Sequence, residues 1–249
     1  MTNCRVLVLG GTGEARELAS VLATLPDVSV VSSLAGRIAT PRLPEGEVRV
    51  GGFGGADGLT HWLRDNAVAA VIDATHPFAA RITTSAAHAA AHTHVPLLVL
   101  RRPAWVVDDA DDWHVVADLG GAAVLTPTLG QRAFLTIGRQ EVAAFSALED
   151  VWFLIRAIEA PGEPLPRHRQ VLLARGPFTV QGEVELLRHH RIDVVVSKNS
   201  GGPATVAKLT AARRLGVPVI MVERPPLPAG VASAGTVDEA VSWLTAHSG

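Results

Sequence analysis

Tyrosine is absent from this chain of 249 residues, cysteine occurs once, methionine occurs twice, and aromatic residues make up only 4%. Without tyrosine there can be no Tyr-x-x-x-Lys acid of the kind used by short-chain reductases. The single cysteine, Cys4, excludes an internal disulfide and any zinc or iron–sulfur site built from several thiolates. Its position at the mouth of the first apolar run marks it as a buried thiol. No apolar stretch exceeds strand length, so none is expected to span a membrane. The N-terminus enters that run without a basic segment, so no signal peptide is expected and the setting is expected to be cytoplasmic. No G-x-x-x-x-G-K-[ST] and no G-x-S-x-G occurs, which removes the P-loop and the commonest hydrolase elbow. A net charge of −2 gives no electrostatic reason to expect nucleic acid as a partner.

What is present is a globular composition, 48% hydrophobic and 18% charged, long enough for one large or two small domains. Short apolar runs alternate with helical patterns along nearly the whole length, the signature of a mostly parallel sheet covered by helices. Strands are predicted at 5–9, 28–32, 48–50, 68–72 and 97–100, then at 134–137, 152–156, 171–174, 194–197 and 219–222. Helices are predicted at 14–25, 57–66, 77–92, 140–147, 180–189, 203–214 and from 237 onward. The acidic and Gly/Ala-rich stretch 108–123 is the candidate junction. The expected domains are 1–115 and 116–249, two Rossmann-like α/β units with the active site in the cleft between them. Two segments resemble one another: "VIDATHPFAARITTSAAHAAAHTHVPLLVLRRP" and "VVVSKNSGGPATVAKLTAARRLGVPVIMVERP". Each runs strand, polar loop, proline-started helix, Val-Pro, strand and Arg-Pro. Pro77 and Pro203 are expected at the first helical position, where the missing amide costs nothing.

The stretch "VLVLGGTGEARELA" passes from a strand through Gly10, Gly11, Thr12 and Gly13 into a helix. Glycines let a pyrophosphate approach the backbone, and the free amides of a helix start attract its charge. The third glycine of the usual dinucleotide fingerprint is replaced by Arg16, which alters helix packing more than phosphate binding. Glu14 and Arg16 complete this candidate cofactor turn. An acid that would bind a ribose 2′-hydroxyl, expected about twenty residues on, is missing from "VSSLAGR". Ser32, Ser33 and Arg37 stand there, and they suit a 2′-phosphate, so NADPH is favoured over NADH. "VGGFGGADG" at 50–58 reads either as a second close approach to ligand or as a mobile loop. "DATHPFA" after the fourth strand brings Thr75, His76 and Phe78 to the expected nicotinamide end. His76 is a candidate proton donor because its intrinsic pKa lies near neutrality.

His88, His92 and His94 form an H-x-x-x-H-x-H pattern, but no H-E-x-x-H accompanies it, and histidines also suit a helix C-terminus. No metal site is assigned. In the second half, polar and cationic residues recur at strand ends: Arg139, Arg156, Arg175 and Lys198, followed by Asn199, Ser200 and Gly201. Together they suit an anion carrying several carboxylates.

In this order and spacing, "GGTGEAREL", "SSLAGR", "GGFGG", "DATHPFA", Arg102-Pro103-x-Trp105, "FLTIGRQ", "FLIR", "ARGPF", "SKNSGG" and "GVPVIMVERP" resemble the precorrin-6A reductase family of cobalamin biosynthesis. The resemblance covers nearly the whole chain and implies NADPH-dependent reduction of the C18–C19 double bond of a tetrapyrrole substrate. A related branch of the family acts on the cobalt-containing precursor. The proton would come from His76, Lys198 or water, and the protein would be a monomer or a small homo-oligomer.

Overall fold

A computed structural model describes residues 4–36 and 43–247. The first half lays down β1 (Cys4–Leu9), α1 (Gly13–Leu22), β2 (Val28–Leu34), β3 (Glu47–Val50), α2 (Gly55–Asp65), β4 (Ala70–Asp73), α3 (Ala80–Thr93) and β5 (Leu97–Leu100). There follow β6 (Trp113–Val116), α4 (Leu119–Leu129), β7 (Arg132–Leu135), β8 (Trp152–Ala157), β9 (Arg169–Leu173), α5 (Val180–His189) and β10 (Val194–Lys198). The chain ends with α6 (Ala207–Leu215), β11 (Val219–Val222), β12 (Ala232–Ala234) and α7 (Val237–His247).

These elements form two compact units, one comprising Met1–Pro103 with Pro225–Gly249 and the other Ala104–Arg224. Each holds a 6-stranded sheet in which every pairing is parallel. The first sheet runs β3-β2-β1-β4-β5-β12 and the second β9-β8-β7-β10-β11-β6. Both follow the 3-2-1-4-5-6 order of a dinucleotide-binding fold for five strands. In each, the sixth strand comes from elsewhere in the chain, and a helix follows it. The two segments that resemble each other in sequence therefore occupy the same place, as the fourth strand, a helix and the fifth strand of each sheet.

Period-two side-chain alternation builds the first unit. Val6 and Val8 join Leu18 and Leu22 of α1 and Ala240 and Leu244 of α7 in one core layer. Leu7 and Leu9 join Leu59 and Leu63 of α2 and Ala86 and Ala89 of α3 in the other. In the second unit, Phe134, Leu154, Val195 and Met221 pack on Val184 and Leu187 of α5 and Leu209 of α6.

The domain boundaries differ from those read in the sequence. The division falls at Pro103/Ala104, directly after one Arg-Pro pair, and again at Arg224/Pro225, within the other, rather than at 115/116. β12 pairs with β5 through Ala232, Ser233 and Ala234, and α7 supplies Val237, Ala240 and Leu244 to the first core, so the C-terminal segment completes the N-terminal unit. The expected junction 108–123 contains β6 and the start of α4 instead. α4 carries Gly120, Gly121 and Pro127, poor helix formers. Asp118 caps it by accepting from the Gly121 amide, and Ala122 and Thr126 are buried. The expected helix at 140–147 shrinks to one 3₁₀ turn at Val142–Phe145, both of whose end residues are buried. Pro77 precedes helix α3 rather than starting it, whereas Pro203 does begin a 3₁₀ turn.

Candidate active site

In the first unit the glycine turn closes the C-terminal end of β1. Gly11 takes φ +119°, a region that favours glycine, and a Cβ placed there would meet nothing within 4 Å. Thr12 caps α1, its Oγ1 accepting from the Ala15 amide at 3.1 Å while donating to the Ala74 carbonyl at 2.7 Å. With the Ala15 amide satisfied, the amides of Gly11, Gly13 and Glu14 have no acceptor among the described residues. The Arg16 guanidinium turns back over the helix start, its Nη2 lying 3.9 Å from a Cβ placed at Gly13. Arg16 takes the sequence place of the fingerprint's third glycine, but close strand–helix packing is kept by Gly10 against Ala15, where a Cβ would stand 3.5 Å from the alanine methyl. Glu14 is ion-paired with Arg102 at 2.9 Å, which offsets a carboxylate beside a phosphate turn. These groups fit a dinucleotide pyrophosphate: open backbone, free helix amides and a cation.

The end of β2 adjoins that turn, the Gly10 amide donating to the Ser33 carbonyl at 2.9 Å. Ser33 and Ser32 point to opposite faces. The Ser33 hydroxyl accepts from Arg49, but Ser32 is buried, and its hydroxyl is enclosed without a partner. Ser32 is therefore withdrawn from the expected cofactor contact. Arg37 lies outside the described residues.

Asp73, at the end of β4, opens the "DATHPFA" motif. It is buried and accepts from the Thr75 amide at 3.0 Å, the Thr75 Oγ1 at 2.6 Å and the Thr83 Oγ1 at 2.6 Å. This carboxylate sets the course of the 73–79 loop, where charge-assisted bonds are stronger than neutral ones. His76 is exposed; its Nδ1 accepts from the Phe78 amide at 3.3 Å, so a neutral ring carries its proton on Nε2. The His76 and Phe78 rings lie 5.9 Å apart.

In the second unit the strand ends expected to be cationic are largely paired with acids. Lys198, at the end of β10, is buried with its ammonium against the Glu141 carboxylate. Burial pushes its pKa down to about 8. Arg139 pairs with Glu159 at 2.9 Å. Arg175 is exposed after β9. Arg156 corrects the sequence reading: its guanidinium is buried, forked onto Glu183, and stacked 3.7 Å from the Phe178 ring centroid. Its donors face an internal partner, so its substrate-binding role is withdrawn.

Asn199, Ser200 and Gly201 follow Lys198 in a loop clamped by Trp105, whose place in that loop the sequence did not reveal. The Asn199 amide accepts from the Trp105 N–H at 2.8 Å and donates to the Trp105 carbonyl at 3.1 Å. The Trp105 indole donates to the Gly202 carbonyl at 3.0 Å, and the Lys208 ammonium lies 4.8 Å from that ring's centroid. Lys208 is buried, and desolvation lowers its pKa to about 7. The Ser200 amide donates back to the Lys198 carbonyl at 2.7 Å, and Gly201 and Gly202 both have positive φ.

His88 and His92 do share a helix face, with His92 Nδ1 bonded to the His88 carbonyl at 2.8 Å. Among the described residues no helix is long and apolar enough to cross a membrane.

Two parallel sheets of dinucleotide-binding type, one of them bearing an open glycine turn at a helix start, define a doubly wound α/β protein with two Rossmann-like units. Residues 5–245 match the family model described as precorrin-6x reductase CbiJ/CobK. The chain belongs to that family. It is 58% identical over 240 residues to a precorrin-6A reductase of Rhodococcus erythropolis, spanning 96% of this chain and 97% of that one. It is 51% identical over 241 residues to one of Mycobacterium tuberculosis, again covering 96% and 97%. A solved structure of CobK precorrin-6A reductase superposes with a TM-score of 0.90 at 44% identity, covering 99% of this chain and 97% of that one. Cobalt-precorrin-6A reductases are more distant, such as that of Priestia megaterium at 28%.

Proposed function

We propose that this chain is a precorrin-6A reductase that takes its reducing equivalent from NADPH and reduces the C18–C19 double bond of the macrocycle. The observation that carries the reading is the fit of the glycine turn to a pyrophosphate, taken with family membership over residues 5–245. Relatives named for the metal-free substrate, at 45–58% identity, stand well above those named for the cobalt form at 27–29%, which favours the metal-free route.

Bound NADPH supplies a hydride, and the protein supplies position and a proton. The Gly11, Gly13 and Glu14 amides and Arg16 hold the pyrophosphate, and Ser33 with Arg37 takes the 2′-phosphate. The 73–79 loop, fixed by Asp73, presents His76 and Phe78 at the nicotinamide end. Arg139, Arg175, Lys198, Asn199, Ser200 and Gly201 hold the acetate and propionate fringe of the substrate. Glu141 and Glu159 temper the Lys198 and Arg139 charges until substrate carboxylates compete for them. The carbon next to the one that accepts hydride is protonated by His76 Nε2, Lys198 Nζ or water. Holding two large ligands in register can account for about 7–11 kcal/mol of the barrier.

The test is incubation with precorrin-6A and either NADPH or NADH, following nicotinamide absorbance and the pigment spectrum. One equivalent of NADPH is expected to be oxidised per macrocycle. No oxidation with either cofactor overturns the assignment, and equal efficiency with NADH removes the preference for NADPH.

A further inference from the structure

We propose that Arg49 reads the 2′-phosphate of the cofactor's adenosine ribose and so sets the preference for NADPH. The inference rests on the NADPH reading above. β2 and β3 are paired so that Ser33 and Arg49 are directly opposed, and an Arg49 guanidinium nitrogen lies 3.5 Å from the Ser33 hydroxyl. Ser33 is also the residue whose carbonyl receives the Gly10 amide, so Arg49 stands one strand beyond the phosphate turn. In this fold the ribose 2′ position is read at the end of the second strand. Among the described residues no acid occupies that end, and Glu47, at the start of β3, is tied to Arg5 at 2.7 Å.

The guanidinium is held before any ligand arrives. It donates to the Gly51 carbonyl at 2.6 Å and the Gly52 carbonyl at 2.8 Å, and it lies 3.9 Å from the Phe53 ring centroid. Phe53 is itself braced edge-on by Trp62 of α2, with centroids 5.6 Å apart. Arg49 has no carboxylate partner among the described residues, which distinguishes it from the paired Arg102, Arg139 and Arg156. A guanidinium has five N–H donors, and the two carbonyls and the Ser33 hydroxyl take three of them. The remaining donors, pre-oriented on an aromatic ring, match a phosphate better than a flexible ammonium would. "VGGFGG", read in the sequence as either ligand approach or mobile loop, thus becomes the seat of this arginine.

The test compares binding of 2′,5′-ADP with 5′-AMP by calorimetry, and the KM for NADPH with that for NADH. For Arg49→Ala, the Kd for 2′,5′-ADP and the KM for NADPH are expected to rise by about tenfold or more, the loss of one charge-assisted contact. Values for 5′-AMP and NADH are expected to stay within about twofold. Arg49→Lys, which keeps charge but not the fork, is expected to fall between wild type and Arg49→Ala. If Arg49→Ala weakens all four ligands alike, the residue merely braces the glycine loop and the proposal is overturned. If it weakens none, the proposal is likewise overturned. Wild-type protein that binds 5′-AMP as tightly as 2′,5′-ADP would instead overturn the NADPH reading, whatever Arg49→Ala does.

Discussion

The Thr12 hydroxyl donates to the Ala74 carbonyl at 2.7 Å and accepts from the Ala15 amide at 3.1 Å, joining the phosphate turn to the loop that carries His76. One side chain thus caps α1 and couples the two loops of the first unit that are proposed to hold the cofactor. Thr12→Val, nearly isosteric, removes both bonds. It is expected to destabilise the protein by about 1–2 kcal/mol, the usual cost of a lost cap, and to raise the Kd for NADPH. Thr12→Ser should restore both. Urea midpoints and cofactor titration check this, and a Thr12→Val protein matching wild type in both would refute the coupling.

Arg156 and Glu183 form a buried pair, so removing one partner leaves the other charge stranded. Glu183→Gln is expected to cost about 3–5 kcal/mol, while Arg156→Met with Glu183→Leu should be close to neutral. The double variant is also expected to keep the substrate KM within about twofold, since Arg156 faces its internal partner. Denaturant unfolding and steady-state kinetics decide between this and a substrate-binding arginine, for which KM would climb.

Lys198, whose pKa is lowered to about 8 by burial, gives a pH signature. If its ammonium binds or protonates the substrate, kcat/KM falls as pH rises through about 8. Lys198→Arg, which does not titrate in that range, should abolish that limb even if it is slower. For stability the sign is opposite. Below about pH 8 the charged form is present in both folded and unfolded chains, and its burial cost is felt in full. Between about 8 and the ordinary lysine value of 10.5 the folded state releases its proton first, so this group's cost shrinks and stability rises with pH. Lys198→Met should flatten that part of the stability curve.

Asn199 bridges the backbone of Trp105 by two hydrogen bonds, and the indole holds Gly202. Asn199→Ala is expected to loosen the 197–202 loop, costing about 1–3 kcal/mol for the unsatisfied Trp105 groups. KM for the macrocycle should rise while the Kd for NADPH stays unchanged. A matching rise in both would place the defect in global folding. Trp105→Phe, which loses only the indole bond, should show a smaller version of the same split.

The parallel α/β class was legible because fully buried strands read as unbroken apolar runs; β5 (Leu97–Leu100) and β11 (Val219–Val222) fall where the sequence puts them. β12 was not legible, since three small residues carry no period. Nor was α4, whose glycines and proline oppose helix formation until Ala122 and Thr126 find a core. Of the candidate site, the glycine turn into α1 was readable because backbone permissiveness and a helix cap are local properties. The ion pairing of the cationic residues was not legible, because the acids that meet Lys198, Arg139 and Arg156, namely Glu141, Glu159 and Glu183, reach them through other elements.

Local chemistry along the chain was enough for the class of fold, the glycine turn into α1 and the missing acid after β2, since each depends on neighbours within a few residues. Folding in three dimensions settled which strand completes which sheet. It also separated a buried Arg156 from an exposed Arg175, and set Arg49 opposite Ser33. Those outcomes depend on pairing between residues far apart in sequence, where burial and partner choice arise only when the sheets assemble.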